Sequence, residues 1–258
     1  MPMDLTLPDL LRWYLDSGVD ETIGDVPVDR FAAPARPAAP SPVPAEVPAG
    51  PPPQTGAIPG TAAHIAAECR DLAELRAALE AFDGLPVKRT AMSTVFADGN
   101  PEAAVMLIGE APGQEEDRQG LPFVGKSGKL LDRMLASIGL DRTSAYITNV
   151  LPWRPLENRK PTPDEVAICL PFVARHIELV DPKILILLGS ASASAILARH
   201  EGIGRLRGRW FDYASPGLPR PIPAIATFHP AYLLRTPEAK RGSWRDLLMV
   251  KKRLDAAP

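Results

Sequence analysis

The chain is poor in cysteine and in long apolar runs, and its net charge is close to zero. Each shortage excludes something. Its 258 residues include only two cysteines, Cys69 and Cys169. Two cannot build a disulfide framework, so a reducing cytoplasm is the expected setting. No apolar run approaches the ~18 residues that a membrane span needs. The chain starts with Asp4 where a basic stretch would precede an apolar core, so no signal peptide is expected. A net charge of −2 does not fit a uniformly basic nucleic-acid binder. The distribution differs from the sum: residues 199–258 carry 12 Lys and Arg against 5 Asp and Glu. A local basic region of this kind attracts phosphate while the whole chain stays slightly acidic.

Proline, by contrast, is abundant. The 30 prolines exceed the usual ~5% by about twofold, and they concentrate in "VPVDRFAAPARPAAPSPVPAEVPAGPPPQTGAIPG", residues 26–60. That stretch has too few large apolar side chains to form a core, so a disordered, locally extended linker is expected. Ahead of it, residues 1–25 contain Leu7, Leu10, Leu11, Tyr14 and Leu15 at helical spacing. An amphipathic helix there would either dock on a repair or replication partner or fold back onto its own chain.

From residue 61 to 258 the pattern alternates. A helical run over 61–82 precedes four short apolar segments at 104–109, 145–150, 183–189 and 223–229. Helix-like stretches lie near 126–138, 163–179, 190–199 and 239–254. Strands alternating with helices predict an α/β domain, a three-layer αβα sandwich around a mainly parallel four-stranded sheet. Ligands of such sheets bind beyond the carboxyl ends of the strands. That rule selects Gly109–Phe123, Asn149–Arg159, Gly189–Ser192 and His229–Arg235.

Those four places read "GEAPGQEEDRQGLPFVGKSGKLL", "YITNVLPWRPLENRKPTPDE", "ILLGSASA" and "FHPAYLLR". In order and approximate spacing, from about residue 72 to 254, they resemble the motifs of uracil-DNA glycosylases, specifically the family 4 group. The resemblance implies a monomeric DNA-repair enzyme that extrudes uracil from single- or double-stranded DNA and hydrolyses its glycosidic bond, leaving an abasic site. It also implies four cysteines around a [4Fe–4S] cluster, and here the sequence departs. The corresponding positions are Phe82, Leu85, Trp153 and Cys169, so a four-thiolate cluster cannot assemble. No cofactor and no metal are expected, and the three bulky side chains are expected to form a small hydrophobic plug.

Uracil leaves as an anion while its sugar gains positive charge, so a site must stabilise both. By the resemblance, Phe123 stacks on the extruded base. Asn149 carries a donor and an acceptor on one amide, matching O4 and N3–H of uracil. His229 donates to O2, and Glu110 lies near the sugar, where it positions water or stabilises the cation. Glu116 walls off C5, where a thymine methyl would clash, and Asp117 braces the loop. For DNA binding, Lys126 and Ser127 open a helix whose N–H groups suit a phosphate. Arg154, Arg159 and Lys160 offer backbone contacts, Leu233 or Leu234 supplies a wedge, and Arg235 meets a phosphate. Two other readings remain: a glycosylase for another deaminated base such as hypoxanthine, and a non-catalytic DNA-binding repair scaffold. A nucleotide-binding module fits less well, because the acidic turn at Gly109 lacks a phosphate-loop Lys-Ser/Thr pair.

Overall fold

The computed structural model describes residues 59–256. The N-terminal segment 1–25 and the linker as far as residue 58 lie outside the described residues.

The expected helical run over 61–82 is two helices, α1 (Pro59–Glu68) and α2 (Leu72–Ala81). Asp71 separates them: its backbone is extended and its carboxylate accepts the Glu74 N–H at 2.8 Å, capping α2. The four apolar segments are strands: β2 (Val105–Gly109), β3 (Ala145–Asn149), β4 (Ile184–Leu188) and β6 (Ile222–Thr227). Two further strands, β1 (Asp98–Gly99) and β5 (Trp210–Tyr213), pair antiparallel at the edges. The sheet therefore has six strands in the order β1-β3-β2-β4-β6-β5, four of them parallel at its centre. The expectation of four strands missed the edges. β1 is two residues long, and β5 is only partly buried, so neither shows the continuous apolar run of a strand covered on both faces.

Alternation along each central strand builds two cores. Val105 and Leu107 of β2 face one side, with Leu131 and Leu135 of α4 (Lys126–Ala136) and Leu247 and Val250 of α9 (Lys240–Asp255). Met106 and Ile108 face the other, with Val173 and Ile177 of α5 (Pro163–Val180) and Ile196 of α6 (Ser190–Leu197). This is the αβα sandwich. Burying each such Leu or Ile contributes about 1.5–3 kcal/mol. The long helix α5 is specified at its start: Thr162 and Glu165 form a reciprocal capping box and Pro163 takes the first turn. It ends at Asp181, whose φ of 41° leaves the right-handed helical region.

The chain runs from β2 to β3 on one side, then crosses back over β2 to β4 and outward to β6. The direction of winding therefore reverses at β2, and the loops leaving all four parallel strands meet at their carboxyl ends. Two short helices complete that edge, α3 (Gln114–Gln119) after β2 and α8 (Pro230–Arg235) after β6; a single turn, α7 (Ile203–Leu206), precedes β5.

Candidate active site

The four strand-end loops enclose a cavity of about 610 Å³, to which Glu110, Phe123, Asn149, Ser190 and His229 all contribute. Asn149 ends β3 with its side chain almost wholly buried, and its Oδ1 has no hydrogen-bond partner. A buried acceptor left unpaired costs ~1–3 kcal/mol, which a ligand N–H would recover. Gly109 makes this arrangement possible. A Cβ there would lie 2.3 Å from Asn149 Oδ1 and 2.5 Å from the Phe123 ring, so only glycine lets both side chains lie across the end of β2.

Phe123 adopts φ 55°, a left-handed conformation rare for a bulky residue, and its ring is buried. The ring lies 5.6 Å from that of His229, tilted by 33°. His229 caps the start of α8 by accepting the Ala231 N–H on Nδ1 at 3.1 Å. Burial pushes its pKa down to about 4, with nearby Arg235 adding to the depression and Glu116 opposing it. The imidazole is therefore neutral at pH 7, and with Nδ1 accepting, its proton resides on Nε2. Glu110 is half-buried at the cavity wall; burial raises its pKa, while Lys160 pulls it the other way.

Glu116 lines the cavity too, but both of its oxygens are engaged. Oε2 accepts the Gly113 N–H at 3.1 Å and Oε1 the Gly125 N–H at 2.8 Å. It staples the two ends of the acidic loop together, and it takes up the Gly125 amide at the start of α4. Asp117 braces the same loop from beneath, accepting the Met92 and Ser93 N–H groups.

The residues expected to meet DNA separate into groups. Ser127 and Arg235 line the cavity, while Lys126 is exposed at the first position of α4. Arg159 reaches the rim, yet its guanidinium makes a bidentate pair with Glu165 at 2.8 and 2.6 Å. It braces its own loop, and a phosphate would have to compete with that carboxylate. Of the two leucines expected as a wedge, only one is exposed. Leu233 is 1% exposed and belongs to the core, whereas Leu234 is 45% exposed. One step along α8 rotates a side chain by about 100°, so the expectation for Leu233 is corrected: it anchors the helix that presents Leu234. Tyr232 and Asn158 also line the cavity without having been singled out. Tyr232 was within the quoted "AYLLR" stretch. Asn158 is in a loop where two successive non-glycine residues have φ near 55°, which nothing in the sequence signals.

Phe82, Leu85, Trp153 and Cys169 lie within one buried apolar cluster. The Phe82 and Trp153 rings stack with centroids 6.4 Å apart, Phe172 meets Phe82 edge-on at 5.2 Å, and the Trp153 indole donates to Thr94 at 3.0 Å. These residues do not fit a four-thiolate cluster. Only one of the four side chains carries a sulfur, and burial holds the Cys169 thiol protonated by raising its pKa. Among the described residues no group of three or more His, Cys, Asp or Glu is placed to hold a metal ion.

The sequence profile of the uracil DNA glycosylase superfamily matches residues 96–248, a span that contains all four loops. The chain belongs to that superfamily. It is similar to the type-4 uracil-DNA glycosylase of Saccharolobus solfataricus, with 39% identity over 171 residues, covering 64% of this chain and 78% of that protein. The type-4 enzyme of Pyrobaculum aerophilum is 35% identical over 183 residues, covering 69% and 92%. Similarity to the type-5 uracil-DNA glycosylase of Thermus thermophilus is lower, 29% over 172 residues, covering 60% and 78%. The likeness to the uracil DNA glycosylase superfamily thus includes the family 4 character read from the motifs.

Proposed function

We propose that this protein is a DNA repair glycosylase that flips uracil out of single- or double-stranded DNA and hydrolyses its N-glycosidic bond, leaving an abasic site. The observation that carries the reading is the buried, unpartnered Asn149 Oδ1 beside the Phe123 ring and the neutral His229. Uracil presents an N3–H donor next to its O4 acceptor. One amide reads both: Oδ1 accepts from N3–H and Nδ2 donates to O4. Cytosine presents the opposite pair and would leave the buried amide mismatched.

The base enters with its face against Phe123, a stack worth ~1–3 kcal/mol. As the N1–C1′ bond breaks, its electron pair moves onto the uracil and charge builds at O2. His229 donates from Nε2 to that oxygen. A neutral donor suits the task, because the imidazole meets the developing anion without first being desolvated as a cation. Removing one such donor costs ~10²–10³ in turnover. Glu110 faces the sugar: its partly desolvated carboxylate stabilises the cation at C1′ and orients the water that adds there. That water loses one proton, the uracil anion gains one, and the sum is hydrolysis. Glu116 holds the loop that closes over C5. Leu234 enters the space vacated by the base, while Arg235, Lys126 and Ser127 meet phosphates.

The chain works as a monomer in the cytoplasm and without an iron–sulfur cluster, the Phe82–Trp153 stack standing in the cluster's place. A purified protein with iron and a broad absorbance near 400 nm would refute that part. The catalytic reading is tested by incubating the protein with oligonucleotides that contain uracil, hypoxanthine or a T·G mismatch, followed by alkaline cleavage. Strand breaks at uracil are expected, with little or none at the other two. Preference for hypoxanthine would reassign the substrate, and no cleavage anywhere would leave a DNA-binding scaffold.

A further inference from the structure

Phe123 holds an unfavourable backbone conformation, and something must hold it there. The groups that do so converge on its carbonyl. Arg142, in the turn before β3, spreads one guanidinium over four acceptors. Nη1 donates to Asp98 Oδ2 at 2.5 Å and to the Pro122 carbonyl at 3.1 Å, Nε donates to Asp132 Oδ1 at 2.9 Å, and Nη2 donates to the Phe123 carbonyl. The two carboxylates fix the plane of the fork, and the fork then grips two successive peptide carbonyls. Helix α4 also comes close: a Cβ on Gly128 would lie 1.6 Å from the Phe123 oxygen. The carbonyl thus meets both a helix with no side chain at that point and a guanidinium held by two carboxylates.

We infer that Arg142 is a positioning residue that sets the direction of the Phe123 ring, acting through the backbone and touching no substrate. Orienting the Pro122–Phe123–Val124 peptides fixes the Cα–Cβ direction of Phe123, and with it the face offered to the extruded base. The inference also gives the two-residue edge strand β1 a task. Pairing of Asp98 with Ile147 of β3 brings its carboxylate to Arg142. A lysine in this place would keep the charge near Asp98 and Asp132, but a single ammonium cannot reproduce the planar fork.

The inference rests on the proposed uracil-DNA reading, and its test has two arms. The first measures kcat/KM on single-stranded uracil oligonucleotides for Arg142→Lys, Phe123→Ala and the double variant. Phe123→Ala should lose roughly 5- to 150-fold, the range of one base–aromatic stack, and Arg142→Lys a comparable or smaller factor. The double variant should match Phe123→Ala within about twofold, because the arginine acts only through that ring. Losses that multiply, or an Arg142→Lys enzyme as active as the parent, would overturn the inference. A general folding role would instead depress the double variant below Phe123→Ala. The second arm is a crystal structure of Arg142→Lys, in which Phe123 should leave the positive-φ region and its ring the cavity wall. An unmoved Phe123 overturns the inference even if the parent protein proves inactive on uracil, a result that would sink the functional reading instead.

Discussion

Two regions meet at the carboxyl end of β3. On one side Asn149, Glu110 and His229 face an open cavity; four residues further along the chain, Trp153 lies buried against Phe82. Asn149 is their common wall, since its other side borders a void of only about 10 Å³ next to Cys169 and His176. In the apolar cluster the Trp153 indole donates to Thr94, and the Cys69 thiol donates to the Ile65 carbonyl. In the cavity the opposite holds. An amide oxygen has no partner, a phenylalanine has positive φ, and a carboxylate and an imidazole are desolvated. Stability is concentrated where polar groups are satisfied, and chemistry where they are left waiting for a ligand.

The largest expected effect sharpens that contrast. Trp153→Ala should cost about 3–5 kcal/mol of stability, seen as an earlier midpoint in chemical denaturation. The fraction that stays folded should cleave uracil DNA at close to the parental rate; a large loss of turnover per folded molecule would make the cluster part of the catalytic apparatus. His229→Ala should do the reverse, lowering turnover by ~10²-fold or more while costing in stability only the ~0.5–2 kcal/mol of a lost helix cap. An unchanged turnover would reassign the histidine to structure.

Smaller effects separate neighbours on α8. Leu234→Ala should reduce cleavage of duplex substrate by several-fold more than that of single strands, at nearly parental stability. Leu233→Ala should destabilise by about 2–5 kcal/mol and alter the duplex preference little. The smallest effect is one of pH. Burial holds the pKa of His229 down to about 4 and that of His176 down to about 3, both below the ordinary ~6.5. Between those values the unfolded chain binds the extra protons, so stability is full above pH ~6.5 and falls as the pH is lowered through 6. Each histidine contributes at most about 1.4 kcal/mol per pH unit. Denaturation midpoints that stay flat between pH 7 and 5.5 would contradict the neutral, buried assignment.

How much of this was legible in the sequence follows from what each feature depends on. The four parallel strands were, because strands covered on both faces are runs of apolar residues. β1 was not, because two residues carry no period. Asn149 and His229 stood at strand ends and Phe123 in the loop that follows β2, all within recognisable motifs, and the structure brings them to one cavity. The difference between Leu233 and Leu234 was invisible, since identical adjacent side chains are distinguished only by the rotation of α8. The staple formed by Glu116 and the clamp formed by Arg142 were hidden for another reason. The groups they hold in place are backbone groups, Gly113 and Gly125 for one and Pro122 and Phe123 for the other, while the carboxylates that fix Arg142 lie far from it in sequence. Every residue has such groups, so no pattern of side chains announces them.

The most direct test of the central idea, that the waiting amide of Asn149 reads the edge of uracil, is a single-turnover assay. Parent and Asn149→Asp proteins would be compared on single strands differing only by uracil or cytosine. We predict abasic sites at uracil and none at cytosine for the parent, and a much reduced uracil preference for the variant. A variant that discriminates as well as the parent, or a parent that leaves uracil untouched, would contradict it.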